Sequence, residues 1–226
     1  MKTVLITGAS RGIGRFLFNN LTAKGYSVVG LSKNPPKELE DKIYKCNLLN
    51  LNEVEKIFNL IKEKYETLYG IINCAGVLNS GLLLSVSNEK IDEMVNINFK
   101  GTVICCKYAI KLMLKNNIGR VINFSSIASK LAISGDSIYS ATKSAINTFT
   151  EALAKEIEKK KITVNAIAPG LVITDMTASM TYEKKKSLTD LQIIQKDIPL
   201  ESILNTVDFL LSEKSNFISG QTIQLG

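Results

Sequence analysis

Short apolar runs and amphipathic stretches alternate along this chain. Residues 2–7 are an apolar run that ends at a glycine turn, which reads as a strand buried on both faces. Residues 12–24 carry apolar side chains at helical spacing (Ile13, Phe16, Leu17, Leu21), and Gly25 is placed to end that helix. Strands are expected at 26–31 and 43–46, separated by the Asn34-Pro35-Pro36 break. Val54, Ile57, Phe58 and Ile61 mark an amphipathic helix, and 68–73 reads as a fourth strand. A long helical pattern over 91–115 is followed by a strand at 121–125, a helix at 137–160 and a strand at 162–168. A helix at 200–211 and a strand at 222–225 complete the pattern. Strands alternating with helices connect by right-handed crossovers. The expected fold class is therefore α/β: a single-domain, Rossmann-type, doubly wound parallel sheet of about seven strands with helices on both faces.

Residues 174–198 break the alternation. They have mixed polarity and include Lys184-Lys185-Lys186. They follow the sixth strand, at the carboxyl edge where such sheets bind ligands. A substrate lid is expected there, with a plain surface insertion as the alternative.

A chain of 226 residues with 45% apolar and 22% charged side chains suits one soluble domain. There is no run of 18 apolar residues, so no membrane span is expected. The first strand runs straight into a turn that the fold needs, which leaves no room for a signal peptide and implies the cytoplasm. Four cysteines without a C-x-x-C pair, in a chain without histidine, make a metal site unexpected and read as reduced, buried thiols. A net charge of +7 suits an acidic partner such as a carrier protein. Lys159-Lys160-Lys161 and Lys184-Lys185-Lys186 lack interleaved aromatics, so nucleic acid is not expected.

The missing histidine also removes every Ser-His-Asp and Cys-His mechanism. Proton transfer is left to tyrosine, lysine or a carboxylate. Tyr139 and Lys143 stand four apart on one helix face, where an ammonium is expected to lower the phenol from its reference pKa of about 10. Alone, that spacing is commonplace on solvated helices. A second constellation raises its weight. The turn Gly8-Ala9-Ser10-Arg11-Gly12-Ile13-Gly14 joins a strand to a helix, where glycines let backbone approach a pyrophosphate at the helix N-terminus. The second strand ends in Leu31-Ser32-Lys33 with no acid. A carboxylate there would select NAD; instead Lys33 and Arg11 are available to a 2′-phosphate, which favours NADP(H).

Taken in order, Thr7-Gly8-Ala9-Ser10-Arg11-Gly12-Ile13-Gly14, Asn73-Cys74-Ala75-Gly76, Asn98, Ser126, Tyr139 with Lys143, and Pro169-Gly170 resemble the short-chain dehydrogenase/reductase family over essentially the whole chain. Within it, the chain most resembles 3-oxoacyl-(acyl carrier protein) reductases. The resemblance implies a catalytic set of Asn98, Ser126, Tyr139 and Lys143. Tyr139 would give the proton and Ser126 would stabilise the oxyanion. Lys143 would also reach the nicotinamide ribose, and Asn98 would hold a water on the proton path. Strand alternation lets only one of Ser125 and Ser126 face substrate, and the family's spacing selects Ser126. The cofactor is expected against Gly8, Ser10, Arg11, Gly12, Ile13, Gly14, Ser32 and Lys33. Asn47 stands where the family often has an aspartate for the adenine, with Leu48 beside it. The backbone of Asn73, Ala75 and Gly76 would line the ribose, and Asn73 would tie neighbouring strands together. Pro169, Gly170 and Val172 would meet the carboxamide, and Thr174 a phosphate.

The implied activity is NADPH-dependent reduction of a ketone, either a small molecule or a 3-oxoacyl group on acyl carrier protein. A sugar or polyol reductase and a non-catalytic NADP-binding regulator are the alternatives. Carrier docking in the family uses an arginine shortly before strand five, where this chain has Lys115-Asn116-Asn117-Ile118; Lys160 stands near a second docking position. A homotetramer is the expected assembly, with a dimer as the alternative.

Overall fold

The computed structural model describes residues 1–178 and 180–226; Ser179, inside the expected lid, lies outside the described residues. Seven parallel strands form one sheet in the order β3-β2-β1-β4-β5-β6-β7. They are β1 (Thr3–Thr7), β2 (Ser27–Ser32), β3 (Ile43–Lys45), β4 (Gly70–Asn73), β5 (Ile118–Phe124), β6 (Lys161–Pro169) and β7 (Thr222–Leu225). The long helices are α1 (Gly12–Ala23), α2 (Leu51–Tyr65), α4 (Thr102–Met113), α6 (Ser137–Glu156) and α9 (Leu200–Leu211). Shorter ones are α3 (Asn88–Met94), α5 (Ala128–Leu131), α7 (Asp175–Ala178) and α8 (Tyr182–Asp190).

The period of two along each strand sorts the core into two layers. Val4, Ile6, Ile72 and Ile122 face α1 and α9, where Leu17, Leu21, Ile203 and Val207 meet them. Leu5, Ile71, Val121 and Val164 face the other way, toward Val54, Phe58, Cys105 and Met113 of α2 and α4. Each fully buried Leu or Ile contributes roughly 1.5–3 kcal/mol of transfer free energy. The helix ends are written locally. Gly25 ends α1 in the left-handed region at φ +89°. Asn50 accepts from the Asn52 and Glu53 N–H groups at the start of α2.

Two features position the site. The chain leaves β1 for β2 on one side, and β4 returns on the other, so a crevice opens at the carboxyl ends of β1 and β4. The Thr7 hydroxyl accepts from the Cys74 and Ala75 N–H groups, both at 3.1 Å, and fixes the two strand ends together. The long helix expected over 91–115 is interrupted: Val95–Gly101 forms π turns between α3 and α4. Such turns recur at functional sites, and Asn98 lies within this one.

Candidate active site

The glycine turn after β1 is shaped by close backbone approach. A Cβ on Gly14 would stand 2.3 Å from the Gly8 carbonyl oxygen, and one on Gly8 would meet the Ala75 Cα at 2.9 Å. Gly8 itself is left-handed, with φ +71°, and donates to the Leu31 carbonyl at 2.8 Å. No side chain caps α1, whose first turn holds no acid. Its N-terminal N–H groups therefore face the crevice as an anion site. A groove of about 590 Å³ runs from there past the ends of β2 and β3. Gly8, Ser10, Arg11, Gly12, Ile13, Gly14, Ser32, Lys33, Asn47, Leu48, Ala75, Gly76 and Thr174 all line it. That volume falls within the roughly 300–1,000 Å³ of small-molecule sites.

The end of β2 is polar and free of acid. Ser32 donates to the Ser10 hydroxyl at 2.8 Å, and Lys33 and Arg11 are exposed along the groove. Asn47 is partly committed elsewhere: its amide oxygen accepts from the Leu49 N–H at 3.1 Å. Asn73 is not on the groove. Its side chain is buried and donates to Asn123 at 2.9 Å and to the Cys106 sulfur at 3.2 Å, tying β4 to β5. Glu93 and Ile97, on α3 and the π turns, line the groove without having been expected; they carry no signal beyond ordinary helix composition.

A smaller cavity of about 140 Å³ adjoins the groove and shares Ile13, Cys74, Gly76 and Thr174 with it. Ser126, Tyr139, Lys143, Pro169, Gly170 and Val172 line this second space. Its walls are mainly apolar, with Leu78, Ile127, Leu131, Ile133, Leu171 and Leu188 among them. The sequence expectation of four buried thiols holds for three; Cys74 is only half-buried and sits where the two spaces meet.

Ser126 and Ser125 part as alternation requires. The Ser125 hydroxyl donates to the Lys143 carbonyl at 3.0 Å and is spent on the backbone of α6. Ser126 lies beside Tyr139, and its hydrogen bond draws the phenol downward. That effect is outweighed. Burial, with lesser repulsion from Asp136 and Cys74, pushes Tyr139 up to about 12. The expectation that Lys143 lowers the phenol is corrected here. The Lys143 ammonium donates to the Phe124 carbonyl at 2.8 Å and stands 5.7 Å from the centre of the Tyr139 ring rather than on its hydroxyl. Burial brings Lys143 itself down to about 8. Tyr139 is therefore a protonated phenol at neutral pH, the form that donates.

Asn98 acts as a clamp. Its amide oxygen accepts from the Val77 N–H at 2.8 Å, while its amide nitrogen donates to the Val77 carbonyl at 2.9 Å and the Thr142 hydroxyl at 3.2 Å. A Cβ on Gly76 would come within 3.4 Å of the Asn98 amide oxygen and 3.6 Å of the Lys143 nitrogen. Both are ordinary contact distances, so Gly76 lies directly beside the two side chains.

The described residues of 174–198 form α7, α8 and a return segment along the cavity. Gln192 anchors them: it is buried, and its amide nitrogen donates to the Lys196 carbonyl at 2.8 Å while its oxygen accepts from the Leu171 N–H. The Thr177 hydroxyl donates to the Val172 carbonyl at 2.7 Å.

Comparison with known proteins agrees with this geometry. Residues 2–185 match the family described as short chain dehydrogenase. The chain is 32% identical over 237 residues to the 3-oxoacyl-[acyl-carrier-protein] reductase FabG of Staphylococcus aureus (strain Mu50 / ATCC 700699), covering 99% of this chain and 96% of that one. It is 35% identical over 236 residues to the reductase of the same name from Rickettsia bellii (strain RML369-C), covering 99% and 95%. Among solved structures it is similar to ElxO with NADP bound, with a TM-score of 0.90, 29% identity and coverage of 99% and 96%. A short-chain type dehydrogenase/reductase from Mycobacterium ulcerans superposes with a TM-score of 0.89 at 28% identity, covering 99% and 87%. With its motifs gathered at one crevice and the family matched over most of its length, the chain belongs to the short-chain dehydrogenase/reductase family.

Proposed function

We propose that this protein is an NADPH-dependent reductase of ketones, and that its substrate is a 3-oxoacyl thioester carried on acyl carrier protein. The observation that carries the reading is the apolar cavity against Ser126, Tyr139 and Lys143, continuous with a dinucleotide groove that has no acid at the end of β2. The groove fits the cofactor because Gly8 and Gly14 let the turn's backbone pack more closely than a Cβ would allow, beside the uncapped, acid-free first turn of α1. Gly8 to Gly14 would hold the pyrophosphate and Arg11 and Lys33 the 2′-phosphate. Ser32, Asn47 and Leu48 would flank the adenosine, Ala75 and Gly76 the ribose. Pro169, Gly170 and Val172 would meet the carboxamide. Asn73 supports that wall from within the sheet. When bound, the dinucleotide supplies the hydride.

The chain's own residues do the rest. Ser126 orients the carbonyl oxygen and offers it a hydrogen bond as negative charge grows. Tyr139 passes its proton to that oxygen, completing the alcohol. Lys143 sets a positive charge behind the phenol. Asn98 holds Val77 and α6 in register. Residues 174–198 close over the acyl group and keep water out. The apolar walls favour an acyl chain over a sugar or polyol. The curated relatives named as acyl-carrier reductases point the same way. Half-buried Ile223 and Leu225 on the edge strand β7 support assembly through that edge into a homotetramer.

The test is NADPH oxidation with acetoacetyl and longer 3-oxoacyl thioesters beside sugar ketones. Acceptance of the thioesters with a kcat/KM at least tenfold above that for any sugar is expected. Turnover of sugar ketones alone would reject the substrate. No turnover with any ketone would reject the enzyme.

A further inference from the structure

Asp136 directly precedes α6, three residues before Tyr139, and forms part of the wall of the apolar cavity at 5% exposure. An aspartate at a helix N-cap ordinarily accepts from the N–H groups of the first turn. This one makes no such bond. Its carboxylate instead meets the Lys184 ammonium of α8 at 3.5 Å. The same ammonium donates to the Ser80 hydroxyl at 3.0 Å, in the loop after β4. That loop and the turn before α6 are already joined, since the Gly81 N–H donates to the Gly135 carbonyl at 2.8 Å. Lys184 therefore reaches from a third segment onto a preformed pair. Helix α8 itself contains no buried residue: Leu188 lines the cavity half-buried, and the Gln192 anchor lies beyond its end.

An ionised carboxylate in an apolar wall is unfavourable without a partner. Among the described residues, Lys184 is the only cation paired with Asp136. Lowering α8 and compensating that charge are thus one event. We propose that Lys184 is a positioning residue: by pairing with Asp136 it latches α8 over the apolar cavity and cancels the negative charge beside Tyr139. The second half rests on the reading of Tyr139 as proton donor; the latch does not.

The groups that face Tyr139 are few. Lys143 lies over its ring from the same helix, Ser126 comes from the loop after β5, and Cys74 from the loop after β4. Asp136 adds a repulsion that disfavours the phenolate. With Lys184 in place that repulsion is offset; with α8 raised it acts in full. The donor then holds its proton more tightly and gives it up less readily.

The test uses the full chain with Lys184→Met, Lys184→Arg, Asp136→Asn and the Lys184→Met/Asp136→Asn double variant. Hydrogen exchange over residues 182–190 reads the latch. Lys184→Met and Asp136→Asn should each speed it about three- to tenfold, the range of a partly buried pair, and Lys184→Arg should leave it near wild type. NADPH oxidation with acetoacetyl thioester reads the charge. Lys184→Met should lower kcat about three- to tenfold, and adding Asp136→Asn should recover most of that loss while exchange stays fast. A role in packing alone would give no such recovery. Unchanged exchange in Lys184→Met overturns the latch, and equal kcat in Lys184→Met and the double variant overturns the charge coupling. A wild-type chain that reduces no ketone counts against the reductase reading, while the exchange result still decides the latch.

Discussion

Lys143 makes the pH dependence of reduction a sharp test. The side chain is 5% exposed and donates to the Phe124 carbonyl at 2.8 Å. Burial brings it down to about 8, while Tyr139 is pushed up to about 12. Across the neutral range the phenol keeps its proton, so the group that changes charge is the lysine. Its ammonium stands 5.7 Å from the Tyr139 ring centre. At an effective dielectric of about 20, a unit charge at that distance is worth roughly 3 kcal/mol to a developing anion, or about a hundredfold in rate. For reduction, kcat/KM should be level below about pH 7.5, fall about tenfold per unit above about 8, and flatten near 1% by about pH 10. Lys143→Arg keeps its charge throughout and should abolish that limb, at a lower overall rate because the larger head must fit the same site. Unfolding through this group does not mimic the limb. Its folded value is depressed, so its contribution to stability is least below about pH 8 and improves as pH rises toward the reference of about 10.4. Initial rates of NADPH oxidation at low substrate give the profile. A wild-type limb near pH 10 that persists in Lys143→Arg would refute the assignment.

Three further outcomes follow from the geometry. Tyr139→Phe keeps the ring but removes the donor, so kcat should drop about 10²–10⁴-fold while NADPH affinity by fluorescence titration stays within about twofold. NADPH should bind more tightly than NADH, and Ser32→Asp, which sets a carboxylate beside Ser10 at the end of β2, should reverse that order in the same titration. Light scattering at micromolar concentration should give the mass of four chains, and a monomer would remove the proposed assembly.

The sheet was legible because its strands are buried on both faces and read as unbroken apolar runs between glycine turns. The central strands β1, β4, β5 and β6 are almost wholly buried. Helix α9 begins and ends where its apolar spacing placed it. The helices within 174–198 were not legible. Tyr182–Asp190 buries no side chain, so no apolar stripe announces it. The π turns were invisible for another reason. They are held by the Asn98 clamp on Val77, a bond between segments 21 residues apart that no local pattern records. The site residues came from the family resemblance that their motifs carry, and the direction of a proton equilibrium was not among what it implied. Tyr139 and Lys143 share a helix face, yet burial dominates the phenol's equilibrium and raises it on balance.

The interruption at Val95–Gly101 also sets the phase of everything after it. Each residue of a regular helix turns the chain by about 100°. Ahead of the π turns, Glu93 looks into the groove; beyond them, Cys105, Ala109 and Met113 look into the sheet. One spiral therefore serves two clients whose bearings are out of step, and the wider turns absorb the difference. A chain shortened by one residue between 95 and 101 could regain ordinary helical hydrogen bonds throughout. It would then have to rotate one half against the other, choosing between a sealed core and a formed crevice.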